Sequence, residues 1–365
     1  MEMLARSNLN NFFRGKRILI TGHTGFKGSW LTTWLHMLGA KIFGYALAPD
    51  TRPSMFEILS LEKVVEQTIS DIRDYNSVLA FIKEHKPEIA FHLAAQPLVR
   101  RSYDEPKLTH ETNVGGTVNL LEALKAIDST RVIIIVTTDK VYENREWVWG
   151  YRENDPLGGH DPYSTSKACT ELVARSYYDA FFKAKGKTFL STVRSGNVIG
   201  GGDWSKNRIV PDCVKALRDE KGIPVRSPSS VRPWQHVLEP LYGYLTLAAK
   251  MWTNGDQFTG SWNFGPEHGS NCTVKELVEL IISAWGSGSW KDASSNNAAH
   301  ETRLLKLNSE KAKSFLSWSG IYDYKEAINE TIAWYRYYYS SGNDVLEFTK
   351  RQIRKYEKRR LRSNA

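Results

Sequence analysis

A short apolar run, Arg17-Ile18-Leu19-Ile20, breaks at Thr21-Gly22-His23-Thr24-Gly25-Phe26-Lys27-Gly28, and a helix-patterned stretch, Ser29 to Leu38, follows at once. Leu31, Trp34, Leu35 and Leu38 fall on one face at helical spacing, and Gly39 offers a stop. Strand, glycine turn and helix in this order leave few possible folds. The helix N-terminus points its unpaired N–H groups at the turn, which suits a pyrophosphate. The spacing is G-x-x-G-x-x-G, so the general G-x-G-x-x-G dinucleotide fingerprint is not matched literally. Gly22, Thr24, Gly25, Phe26, Lys27 and Gly28 are the candidate cofactor contacts here. An acid that holds the adenine ribose is expected about 20 positions further on. Asp50 could accept from ribose hydroxyls, while Arg52 could equally meet a 2′-phosphate, and the residues leave that choice open.

Two further strings carry chemistry. Among the 17 tyrosines, two begin a Tyr-x-x-x-Lys spacing, Tyr103 to Lys107 and Tyr163 to Lys167. Pro106 disfavours a helix through the first pair. The second pair follows Pro162 and opens a helix-compatible stretch, so Tyr163 and Lys167 would stack on one side. A cation there is expected to lower the phenol's pKa and make a general base. Thr137-Thr138-Asp139-Lys140 ends the β-branched run Val132 to Val136, which suits a strand covered on both faces. Ligands bind at the carboxyl ends of such strands, so Thr138, Asp139 and Lys140 are expected in the cleft.

These strings, with His92-Leu93-Ala94-Ala95-Gln96-Pro97 and Asn113-Val114-Gly115-Gly116-Thr117, resemble the extended short-chain dehydrogenase/reductase family. Arg194 to Trp204 and Arg232 to Pro240 sharpen the resemblance to its nucleotide-sugar 4,6-dehydratases, and Lys140 after Asp139 is similar to those acting on CDP-glucose. The resemblance implies Thr138, Tyr163 and Lys167 as the oxidation triad and Asp139 as the acid that releases the C6 hydroxyl. Lys140 is implied as the C5 base or as a group orienting Asp139. It further implies that Asp71 and Ile72 meet the adenine, that Leu93, Ala94 and Ala95 line the dinucleotide, and that Thr112 and Thr137 lie along the same cleft. Gln96, Asn197, Arg208 and Arg232 are the implied substrate contacts, the arginines suiting a diphosphate because their fork engages two oxygens. The implied cofactor is NAD, because the hydride is returned within each cycle. A nucleotide-sugar 4-epimerase is the alternative, since it would use Tyr163 but not require Asp139.

At 365 residues the chain can bury a full core. Alternating strands and helices predict an α/β, doubly wound, Rossmann-type parallel sheet over residues 12–200, with a smaller mixed α/β C-terminal substrate lobe over 201–345. Returns to the first domain are expected near 205–211 and 234–250. Of 49 basic and 40 acidic residues, eight basic and one acidic lie in 350–365, so the net charge of +9 is mostly a basic tail at 346–365. That tail is expected to be solvated or loosely helical and not to bind nucleic acid. Cys169, Cys213 and Cys272 are too dispersed for a metal or a disulfide scaffold, which fits the cytoplasm. No apolar run nears the roughly 18 residues that span a bilayer, so no membrane span is expected. Met1 to Phe13 lacks the apolar core of a signal peptide. Family members usually pair through the Tyr163 helix, so a homodimer or homotetramer is implied. Trp147, Trp149, Trp204 and Trp234 adjoin motif residues, where aromatic walls for a sugar compete with simple packing.

Overall fold

The computed structural model describes residues 9, 11–266, 271–294, 305–340, 342 and 344–363. Most of the Met1 to Phe13 stretch and the final two residues of the basic segment thus lie outside the described residues. The strands are β1 (Arg17–Thr21), β2 (Lys41–Ala46), β3 (Glu66–Ile69), β4 (Ile89–His92), β5 (Val132–Val136) and β6 (Phe189–Ser195). They continue as β7 (Asn197–Ile199), β8 (Ile223–Val225), β9 (Val231–His236), β10 (Gly260–Phe264), β11 (Asn271–Thr273) and β12 (Trp290–Asp292).

Seven strands form one sheet in the order β10-β6-β5-β4-β1-β2-β3, parallel throughout. This is the expected doubly wound Rossmann-type sheet, and strand order reverses between β1 and β4. Side-chain alternation sorts the core into two layers. Ile18, Ile20, Val132, Ile134 and Val136 pack on one face, and Leu19, Ile133 and Ile135 on the other. β5 is buried along its whole length, as its β-branched composition requires. Its carboxyl end delivers Thr137 to Lys140 at the rim of the sheet.

The remaining strands form a three-stranded sheet, β11-β9-β7, and a two-stranded pair, β12-β8, among the helices Ile209–Arg218, Val274–Trp285 and Tyr324–Tyr339. Thr273 and Asp323 each start their helix with a reciprocal capping box. The chain rejoins the large sheet through the helix Leu238–Asn254 and then through β10, which pairs with β6. The stretch 205–211 leads into the helix Ile209–Arg218, which packs against the helix Val274–Trp285.

The basic tail is a correction. Residues Val345–Ser363 form a continuous helix docked on the body of the protein. Val345, Thr349, Ile353, Tyr356 and Arg360 make a buried stripe at helical spacing. Tyr356 Oη donates to Glu239 Oε2 at 2.7 Å, Trp34 Nε1 donates to Glu357 Oε1 at 2.9 Å, and the Arg360 guanidinium stacks on the Tyr242 ring at 4.4 Å. On its outer side Arg354, Lys355 and Arg359 pair with Glu347, Glu330 and Glu326. Counting charge alone hid the apolar period. No helix among the described residues is long and apolar enough to cross a membrane.

Candidate active site

The glycine turn joins β1 to the helix Phe26–Met37. Gly22 sits at φ +74°, and a Cβ there would lie 2.7 Å from the Ala94 nitrogen, so β1 and β4 end in direct contact. The backbone N–H groups of Leu93 and Ala94 both donate to Thr21 Oγ1 at 3.2 Å. A Cβ on Gly28 would fall 2.2 Å from the Gly22 carbonyl, which explains the third glycine. Gly25 caps the helix without a side-chain hydrogen bond, and the first turn carries no acid. The N–H groups therefore remain open to an anion, and the turn fits a dinucleotide diphosphate. Thr24 Oγ1 donates to the Leu47 carbonyl at 2.8 Å. Asp71 is clasped by Arg73 at 2.6 Å, which holds its carboxyl below the usual range, while Asn119 Nδ2 donates to the Ile72 carbonyl at 3.0 Å. Thr112 lies half-buried in the helical stretch Glu111–Gly115, and Ala95 is half-buried beyond β4. Asp50 lies exposed, 4.0 Å from Arg101.

Tyr163 and Lys167 stand one turn apart on the helix Pro162–Tyr177, which Asp161 caps by accepting from the Ser164 N–H. Both are buried. At the competing spacing, Tyr103 is exposed and helices break at Glu105, as Pro106 demands. Lys167 Nζ donates to the Val136 carbonyl at 3.1 Å. Burial pulls its ammonium down to about 8, and Glu171 opposes that fall. The Tyr163 phenol corrects an expectation. It is pushed up to about 12, because burial outweighs the lowering influence of Thr138 and the attraction of Arg208.

Asp139 is buried at the turn after β5. Its Oδ1 accepts from Thr138 Oγ1 at 3.0 Å, and a Cβ on Gly196 would fall 2.8 Å from Oδ2. Burial raises its pKa, while Lys140, Thr138 and Arg232 pull it down. A carboxyl held toward its neutral form beside a phenol has the protonation an eliminating acid needs.

Cations converge on the same place. Lys27 Nζ donates to Ser195 Oγ at 3.0 Å, and its ammonium is lowered to about 7 by burial, then by Arg208 and Lys167, against Asp139. Arg208 Nη1 binds Asp203 Oδ2 at 3.0 Å and acts electrostatically on Tyr163. Arg232 Nη1 donates to the Val231 carbonyl at 3.0 Å. Asn197 is half-buried at the start of β7. Gln96 is turned inward, its side chain bonded to Leu98 and Thr109, so its amide is spent on the loop. Thr137 likewise gives its hydroxyl to Glu171 and Val193.

Trp204 packs among Trp334, Tyr335 and Tyr338, and Trp234 is buried, so packing accounts for both. Sequence reasoning missed Ser195 and Tyr244, whose hydroxyls lie 3.0 Å apart beside Lys27. It also missed Asp203, although Ser195 and Asp203 stand inside a string already singled out. Tyr244 sits in an apolar helix with no local signal. Among the described residues no His/Cys/Asp/Glu cluster could hold a metal.

The pattern of the GDP-mannose 4,6 dehydratase family matches residues 19–331. A CDP-glucose 4,6-dehydratase of Salmonella typhimurium is 46% identical over 350 residues, covering 95% of this chain and 97% of its own. The solved dTDP-glucose 4,6-dehydratase of Streptomyces venezuelae, with NAD bound, superposes with a TM-score of 0.75 at 23% identity, covering 88% and 97%. A UDP-glucose 4-epimerase of Thermotoga maritima shares the fold at a TM-score of 0.76 and 22% identity, covering 88% and 98%. The chain belongs to the GDP-mannose 4,6 dehydratase family.

Proposed function

We propose that this protein converts CDP-D-glucose to CDP-4-dehydro-6-deoxy-D-glucose as an NAD-dependent hydro-lyase. The observation that carries the reading is the buried Asp139 carboxyl, its pKa raised, hydrogen-bonded to Thr138 and within electrostatic reach of Tyr163. A 4-epimerase has no use for an acid held there. The similarity to the Salmonella enzyme supports cytosine as the base.

Tyr163 takes the proton of the C4 hydroxyl, with Thr138 hydrogen-bonding the same oxygen. Lys167 stands behind the phenol and favours its anion. NAD, when bound, supplies the acceptor for the C4 hydride, the donor that returns it to C6, and a positive ring that favours the Tyr163 phenolate. The new ketone acidifies C5–H. Lys140 takes that proton or orients Asp139, and Asp139 protonates the C6 oxygen, which leaves as water. A proton then returns to C5, Tyr163 gives up the proton it took and Asp139 regains the one it lost, so the net change is the loss of one water.

Arg208, Arg232 and Asn197 are assigned to the diphosphate and sugar, and the open glycine turn to the dinucleotide. Three free cysteines and the use of NAD fit a cytoplasmic enzyme. Tyr103, Leu172 and Phe181 leave apolar surface exposed on and beside the Tyr163 helix, which supports pairing of two copies there. The test is to incubate the protein separately with CDP-, dTDP-, GDP- and UDP-hexoses. A 4-keto-6-deoxy product from CDP-glucose alone is expected, and its absence from all four overturns the reading.

A further inference from the structure

We propose that the buried Glu171–Arg194 ion pair is a positioning unit that fixes both ends of the turn carrying Asp139. This inference rests on the dehydratase reading. The pair touches neither the glycine turn nor Asp139 itself, and both side chains are 2% exposed.

Five hydrogen bonds converge on the Glu171 carboxylate. Arg194 contributes two, Nε to Oε1 and Nη2 to Oε2, both at 2.9 Å. Thr137 Oγ1 donates to Oε1 at 2.5 Å, Thr192 Oγ1 to Oε2 at 2.5 Å, and Ser261 Oγ to Oε2 at 3.0 Å. Arg194 then reaches the other way. Its Nη1 donates to Tyr142 Oη at 2.7 Å and to the Glu153 carbonyl at 3.1 Å, and Tyr142 Oη donates to Asn263 Oδ1 at 2.8 Å.

Thr137 immediately precedes the turn Thr138 to Val141, and Tyr142 immediately follows it. One ion pair therefore holds the residue on each side of the segment bearing Thr138, Asp139 and Lys140. Glu171 is also one helical turn beyond Lys167, whose ammonium holds the carbonyl of Val136, the residue before Thr137. The helix that presents Tyr163 thus fixes the last residue of β5 and the one after it and, through Arg194, the far side of the turn. The arrangement sets the distance between the phenol that oxidises and the carboxyl that eliminates. A buried ion pair is a poor source of net stability, since apolar replacements are often neutral. A planar guanidinium fork that spans two directions is instead suited to fixing geometry.

The test uses Tyr142→Phe, which removes the hydroxyl that accepts from Arg194 and donates to Asn263, with Thr137→Val as the second variant should the first not fold. CDP-glucose is added to the NAD-loaded enzyme, and two signals are followed: the near-ultraviolet absorbance of reduced nicotinamide, which reports C4 oxidation, and the appearance of the 4-keto-6-deoxy product. Loss of about tenfold to a hundredfold in product formation is expected. KM and the oxidation rate should stay within about threefold, so that reduced nicotinamide accumulates. A merely structural role would lower both half-reactions together. That outcome, or unchanged turnover, overturns the proposal. If wild-type enzyme leaves CDP-glucose unaltered, the dehydratase reading fails instead.

Discussion

Thr138 donates its hydroxyl proton to the carboxyl of Asp139 at 3.0 Å, and it also acts to lower the pKa of the buried Tyr163 phenol. A hydroxyl has a single proton to give. While that proton is turned to Asp139 it is not offered to Tyr163, whose buried phenol is pushed up toward its protonated form. Once Tyr163 becomes phenolate, Thr138 turns to it and Asp139 loses a donor, which favours the neutral acid. The base and the acid of the proposed cycle are thereby set in opposite states by one side chain.

Thr138→Val removes that donor. Burial already raises the Asp139 pKa and the Thr138 hydrogen bond lowers it. With the hydrogen bond gone, the acid form should persist further into the basic range. The descending basic limb of the pH profile for elimination should therefore move to higher pH in the variant. A limb that stays fixed or moves down would refute this coupling.

Asp139→Asn should lower formation of 4-keto-6-deoxy product by roughly 10²- to 10⁴-fold. The side chain is nearly isosteric and the turn should fold unchanged. Product assays on CDP-glucose check it, and near-normal formation of that product would remove Asp139 from the elimination step.

The Tyr163 phenol is raised to about 12 in the protein without its ligands. Binding NAD should lower that value, because a positive ring beside the oxygen favours phenolate. Ultraviolet difference titration against Tyr163→Phe isolates the signal. No change on adding NAD would remove the phenolate from the mechanism.

Lys27 is depressed to about 7, chiefly by burial and next by Arg208 and Lys167. For a lysine lowered in the folded state, the stabilising contribution is complete above about pH 10.4 and is lost as pH falls toward the folded value. Cofactor-free protein should therefore gain Tm between about pH 7 and pH 10, and Lys27→Met should flatten that rise. Equal slopes in the two proteins would contradict the assignment.

Gly28→Ala should cost about 1–3 kcal/mol and weaken NAD binding, since the new methyl would meet the Gly22 carbonyl at 2.2 Å. Gly115→Ala is the control, with nothing within 4 Å of the added carbon. Thermal unfolding and NAD titration of both variants check it.

Motif chemistry was legible where it is local. Thr138 and Asp139 follow one β-branched strand, Tyr163 and Lys167 share one helical turn, and the glycine turn sits between its own strand and helix. What crosses the chain was not legible. Arg194 reaches Glu171 and Tyr142 only because β6 lies beside β5, and Tyr244 meets Ser195 from a helix 49 residues away in sequence. The Tyr163 shift was misjudged for a related reason: a neighbouring cation can be counted in a sequence, whereas the water removed by folding cannot. The basic segment at 346–365 misled because its charges outnumber the few apolar residues whose spacing docks it.

The hydrogen bond between Trp34 and Glu357 joins positions 323 apart. The outer flank of the first nucleotide-side helix therefore stays wet throughout synthesis of nearly all that separates them. Assembly of the dinucleotide half is tied to a late event, and a ribosome that stalls before residue 345 would release a polypeptide with indole surface uncovered. Such fragments should be recognisable to quality control as sticky and incomplete, well before any question of turnover arises.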